Sequence, residues 1–276
     1  MGKPRIAAAP VYRLGIIADL HCLSRYGLVP PKFRPAQALP SAMFYDYLWE
    51  CWLDFVKRCP PLDMLIVNGD TIEGESPSRR EAMDALTDDL NLQVDAAVET
   101  LGLIRDKVKH LWLLRGTPYH EGRHAEAIER IGSDLGAELW APRRYSGFVL
   151  EGEFHGLHLN VCHPVSLGAI YRGTIADRTA LFATAAEKLG KAKEADIIIR
   201  SHVHGTYLNK VHGKWVLVTR CWKLVNTYAI NRMEFYRASL LNDLGGHLLT
   251  TTGHGDVTWE PDFQYAPHKV EWRQLA

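Results

Sequence analysis

A chain of 276 residues, 47% hydrophobic and 10% aromatic, has enough apolar side chain to bury a large α/β core, which excludes a disordered polypeptide. Lys plus Arg and Asp plus Glu both number 32, so no global field marks a nucleic-acid or membrane binder, and only local patches are left to serve either. Five scattered cysteines, Cys22, Cys51, Cys59, Cys162 and Cys221, form no CxxC pair, against a disulfide framework or zinc knuckle and for reduced thiols in the cytoplasm.

The opening stretch MGKPRIAAAPVYRLGIIADLH reads as neither secretion signal nor membrane span, since its alanine run stops at a proline and the next apolar run ends in Asp19. That run, YRLGIIA at 12–18, is the first predicted strand. A helix follows over 41–58, with Ser41 as N-cap and aromatics at helical spacing, so that Trp49, Trp52 and Phe55 read as helix core. DMLIVNG at 63–69 is a second strand, 78–108 a long helix, and HLWLLRG at 110–116 a third strand. A helix over 123–136, strands at 157–163 and 195–201, a helix over 174–192 between them, and a strand at 214–220 complete the alternating part. The whole chain reads as one domain, and the glycine- and threonine-bearing tail, 231–276, as an antiparallel strand extension of it.

Ligand sites in open α/β sheets lie beyond the carboxyl ends of the strands. Five successive predicted strands deliver polar residues there: Asp19 and His21, then Asp70, then Thr117, His120 and Glu121, then His163, then His202 and His204. A single D-x-H or H-x-H pair is weak evidence among thirteen histidines, so the weight lies on the ordered conjunction. Hard oxygen and borderline nitrogen donors on one edge suit a pair of divalent transition metals, and such a pair can clamp a phosphate and activate water. The remaining histidines, His110, His155, His158, His212, His247 and His254, match no motif and read as structural.

The series D-x-H, G-D, G-T-P-Y-H-E-G, H and H-x-H, running from residue 19 to residue 204, resembles the calcineurin-like metallophosphoesterase superfamily, and its third motif looks like that of phage- or prophage-encoded members. The resemblance implies an α/β fold, the four-layer α/β/β/α sandwich with mixed sheets. It implies a dinuclear phosphoesterase that hydrolyses a phosphate ester with metal-activated water. Asp19, His21 and His204 would hold one ion, His163 and His202 the other, with Asp70 bridging both. Two divalent ions are expected, manganese first, with iron, zinc or nickel as alternatives.

The third motif departs from the common Gly-Asn-His pattern: Thr117 stands in the asparagine position, and the histidine comes later, at His120. A hydroxyl is a poorer ligand than an amide carbonyl, so the second ion should be held less tightly. His120 is a candidate general acid or phosphate contact beside a purely structural role; Thr117, Arg115 and Arg123 are candidate phosphate contacts. Glu73 is not read as a ligand, and the proline-rich segment 22–40 is expected to border the site as a lid or wall. A phosphodiester substrate, nucleotide or nucleic acid, is favoured. The alternatives are a phosphomonoesterase or a catalytically weak scaffold of the kind found among retromer-subunit relatives.

Overall fold

Apolar residues at alternate strand positions load both faces of a sheet, and the computed structural model, which describes residues 9–37, 39, 41–75, 84–122, 124–164, 172–224, 242–260 and 263–266, uses both. In chain order the elements are β1 (Tyr12–Ile17), α1 (Ala42–Arg58), β2 (Leu62–Asn68), α2 (Leu90–Arg105), β3 (Val108–Leu114), α3 (Pro118–Glu121), α4 (Glu126–Leu135), β4 (Ser146–Gly147), β5 (Val149–Phe154), β6 (Leu157–Cys162), α5 (Arg172–Lys188), β7 (Ile197–Arg200), β8 (Tyr207–Val211), β9 (Lys214–Val218), β10 (Leu244–Gly245), β11 (His247–Thr251), β12 (Thr258–Glu260) and β13 (Gln264–Tyr265).

The first sheet has the order β12-β11-β1-β2-β3-β4 and the second β5-β6-β7-β9-β8, while β10 and β13 form a small ribbon. Both large sheets are mixed: β1 to β4 run parallel with β11 antiparallel to β1, and β6, β7 and β9 run parallel with β5 and β8 antiparallel at the edges.

Leu14, Ile16, Ile66 and Leu114 of the first sheet meet Leu159, Val161, Ile197, Ile199 and Leu217 of the second in one core. On the outer face of the first sheet Ile17, Leu65, Val67, Leu111 and Leu113 pack against Trp52 and Phe55 of α1, Leu101 of α2 and Ile128 of α4. On the outer face of the second, Ile198 and Val216 lie under Ala176 and Ala180 of α5. The layers are therefore α/β/β/α, the expected four-layer sandwich. Trp222, packed edge-on to Trp52 at 5.0 Å, ties the chain after β9 to α1.

Several expected boundaries are corrected. The helix expected from residue 78 begins only at Leu90, because Asp89 caps it, accepting from the backbone N–H of Asn91 at 2.9 Å and of Leu92 at 3.4 Å; residues 76–83 lie outside the described set. Ser41 sits before α1 with helical backbone angles and makes no side-chain cap bond. Strands β5 and β8 were not expected; both carry charged or amide residues and glycine or short apolar runs that blur the period. The segment from Cys22 onward is anchored, not a free lid: Cys22 bridges Ile72, Ser24 bridges Ala85, and Leu23 and Val29 are buried against Tyr45 and Ala96. All five cysteines are unpaired. Among the described residues no helix is long and apolar enough to cross a membrane.

Candidate metal centre

The carboxyl ends of β1, β2 and β3 in one sheet and of β6 and β7 in the other meet along the same rim of the sandwich. Three groups of donor atoms lie there among the described residues, Asp19, His21 and His204 in one, Asp70, His163 and His202 in another, and His21, Glu73 and His120 in a third that shares His21 with the first, each group with its atoms within 4.8 Å of one another. Five of the six residues in the two Asp/His/His groups have positive φ, from 46° at His21 to 78° at His202, as the chain turns sharply off a strand end. Asp and His tolerate this region better than most residues, yet it still costs free energy that the surrounding contacts must offset.

Backbone bonds fix the turns. Asp19 N–H donates to Gly69 O, His21 N–H to Asp70 O, and Trp222 N–H to Asp19 O, so three strand exits are laced together. Gly116 lies against Asp70 so closely that a Cβ there would run into the Asp70 backbone nitrogen and carboxylate. A side chain at Gly69, where φ is +81°, would meet the His163 ring at 2.5 Å.

Asp70, His163 and His21 are each aimed by a partner. Asp70 Oδ1 accepts from the Thr117 backbone N–H at 2.7 Å and from the Thr117 hydroxyl at 3.0 Å, leaving Oδ2 for His163 Nε2 at 2.9 Å and His202 Nδ1 at 3.6 Å. His163 Nδ1 donates to Asn68 O at 2.6 Å, which turns Nε2 inward. His21 Nδ1 donates to Glu73 Oε2 at 3.0 Å, and its Nε2 stands 3.2 Å from His204 Nε2. Glu73 is in turn held by the buried ammonium of Lys223 at 2.8 and 2.9 Å. Glu121 accepts from the backbone N–H groups of Thr71 and Gly116, at 3.1 and 2.6 Å, and so ties the second motif to the third. Glu73, Lys223 and Glu121 escaped sequence reasoning as support residues; the one available signal was the acid retained three residues after Asp70.

The charges respond to this enclosure. Asp19 and Asp70 are fully buried. Burial works against their ionised forms, but the neighbouring imidazoles hold both carboxyls below the usual range. Burial also works against a charged His163, yet Asp70 and Asp19 outweigh it and carry the imidazole up to about 10. Burial and the Lys223 cation push His21 down to about 3, so that ring is neutral. Burial and then Asp70 raise Glu121 to about 7.

The donor set fits divalent ions. Asp19 Oδ1 lies 3.3 Å from His204 Nε2 and 3.9 Å from His163 Nε2, between the two Asp/His/His groups, and accepts no well-aligned hydrogen bond; His202 Nδ1 is likewise buried without a hydrogen-bond partner. Buried polar atoms are rarely left so. Two imidazole nitrogens bound to one ion at about 2.0–2.1 Å would stand roughly 3.2–3.4 Å apart at near-tetrahedral angles, and His21 and His204 already do, at 3.2 Å.

The other expected site residues fall as follows. His120 donates from Nδ1 to Glu73 O and stands edge-on to His21 with ring centres 4.5 Å apart. Thr117 directs its hydroxyl proton to Asp70. Arg115 is engaged by Glu129 at 3.0 Å and Ser146 at 2.9 Å, with its guanidinium over the Phe148 ring. Arg123 lies outside the described residues.

No protein-family model and no curated protein matches the chain. Among solved structures it is similar to an archaeal phosphodiesterase at 10% identity, covering 90% of this chain and 98% of that one with a TM-score of 0.45. It is similar to Vps29 of Entamoeba histolytica crystallised with Zn²⁺ at 14% identity, covering 90% and 97% with a TM-score of 0.40. Vps29 of Cryptosporidium parvum matches at 12% identity, covering 91% and 96% with a TM-score of 0.42. At such identities and scores the functional reading rests on the chain's own geometry.

Proposed function

We propose that the chain is a dinuclear metal-dependent phosphoesterase of the calcineurin-like type, hydrolysing a phosphodiester of the nucleotide or nucleic-acid class. One observation carries the reading: two adjoining Asp/His/His groups converge on one rim, with Asp19 Oδ1 and His202 Nδ1 buried and unsatisfied between them. Asp19, His21 and His204 would hold one ion and His163 and His202 the other, with manganese the first choice for both; Asp70, expected to bridge the two, groups here with His163 and His202 and has its Oδ1 on Thr117, so it would serve the second ion foremost. Bound there, the pair supplies Lewis-acid charge at the phosphate and activates water.

The chain's own residues do the rest. Thr117 fixes the Asp70 carboxylate by two hydrogen bonds. The Nδ1–H of His120 is committed to Glu73 O, which orients the ring and leaves Nε2 as the atom that would pass a proton to the leaving oxygen. The diester preference is supported by Arg115 being spent on Glu129, so that it adds no charge for a doubly anionic monoester. Free thiols throughout agree with a reducing compartment such as the cytoplasm.

The test is hydrolysis of an aryl phosphodiester beside its monoester by metal-stripped protein resupplied with Mn²⁺. Diester turnover that needs the metal supports the reading, and monoester preference replaces it with a phosphatase. Silence on both, with metal bound, leaves a scaffold.

A further inference from the structure

Lys223 is 2% exposed, and its ammonium is ringed by Glu73 Oε1 and Oε2 at 2.8 and 2.9 Å and by Asp84 Oδ2 at 3.2 Å. It is one of the largest fully buried side chains in the protein. It arrives from the exit of β9, a sixth strand end on the same rim, on a segment whose neighbour Trp222 bonds Asp19 O. A buried lysine needs its anionic partners for the chain to fold, but it does not need one of them to face a histidine. Here Glu73 does face one: its Oε2 accepts from Nδ1 of His21.

A carboxylate free to rotate would let His21 adopt either tautomer, and only the form protonated at Nδ1 offers the Nε2 lone pair beside His204. Three contacts on two oxygens leave Glu73 one orientation. Gly74, next in the chain, is held by Gln93, whose side-chain oxygen accepts its N–H at 2.7 Å while the amide donates to Gly74 O at 3.2 Å, so the backbone under Glu73 is fixed as well.

We propose that Lys223 is a positioning residue for the first metal group, acting through Glu73 to fix the tautomer and aim of His21. This rests on the dinuclear reading of the site. The second group is aimed separately, by Asn68 and Thr117. Loss of the lysine is therefore felt by one ion and not the other.

Two measurements test this. In metal-free wild-type protein the ¹⁵N shifts of the His21 ring are expected to show a proton on Nδ1; a proton on Nε2 overturns the proposal whether or not the protein binds metal. The variant Lys223→Met/Asp84→Asn removes the cation together with one of its two anions, which limits the unpaired buried charge. Folded protein of this variant, checked by its melting curve, is expected to bind one Mn²⁺ per chain like the wild type and the other about 10–100-fold more weakly, with mixed His21 tautomers. Unchanged affinity for both ions, or equal weakening of both, overturns it. A wild type that takes up no metal sinks the dinuclear reading instead, and the tautomer alone then decides the role of Lys223.

Discussion

Left-handed backbone at Asp19, His21, Asp70, His202 and His204 is strain concentrated on five of the six residues of the two Asp/His/His groups. His202 has the largest φ of the five, +78°, so in metal-free protein His202→Gly should be more stable than His202→Ala by about 1 kcal/mol, read from urea unfolding. Equal stabilities would mean the turn is not strained. Asp70→Asn keeps the shape but removes the anion shared by His163 and His202, so it should cost at least about 100-fold in turnover, since loss of a mere supporting contact already costs 10–100-fold.

Proton linkage has a definite sign at this scale. His163 is raised from 6.5 to about 10 and Glu121 from 4.5 to about 7. Both bind protons more tightly folded than unfolded, so both stabilise the metal-free fold at low pH. Glu121's contribution is lost as pH rises through about 7 and that of His163 as it rises through about 10. His21, lowered from 6.5 to about 3, has the opposite sign and adds stability as pH rises to about 7, so melting of chelated protein should fall between about pH 7.5 and pH 10, whereas metal uptake displaces the His163 proton and strengthens with pH. A melting temperature that rises over that range without metal would contradict the assigned environments.

The six donor residues were legible because each stands a fixed step beyond an apolar run, a local signal. Lys223 was not, since its partner Glu73 lies 150 residues away and nothing near residue 223 hints at a buried cation.

Elements make the rim. Parallel β1, β2 and β3 end level with one another, and β6 and β7 of the facing sheet bring their ends to the same place through one shared core. Ile199 is fully buried in that core on the strand that leads into His202 and His204. Ile199→Ala should cost about 2–5 kcal/mol by the cavity it leaves, and a loss under about 1 kcal/mol would show that the two sheets are not packed as described. Gly116→Ala should displace Asp70, lowering the melting temperature and weakening the second ion in Mn²⁺ titration, because the new Cβ meets the buried Asp70 backbone nitrogen.

The buried strands were readable from their Leu, Ile and Val runs. β5 and β8 were not, because an edge strand with solvent on one side carries Glu151, Glu153, Asn209 and Lys210 and loses the apolar run. The start of α2 was misplaced because Asp88 and Asp89 read equally well as helix surface and as a cap; only the bonds from Asn91 and Leu92 distinguish them.

At the scale of the whole molecule, the four layers build the candidate site: they bring two sheets together so that carboxylates from the first and imidazoles from the second face one another. The closing pairs are long-range, Asp70 with His163 and Asp19 with His204, and neither sheet alone contains both ion groups. The sequence motifs give the donors and their order, while the facing of the two sheets that divides them into two groups is a property of the packed fold.

The most direct measurement is equilibrium dialysis of metal-stripped protein against Mn²⁺ beside Asp70→Asn and His204→Ala. The account predicts two ions per wild-type chain, with Asp70→Asn losing the second-group ion and His204→Ala the first-group ion. A wild-type chain that holds no ion at saturating Mn²⁺ and Zn²⁺, or variants that bind as the wild type does, would contradict it.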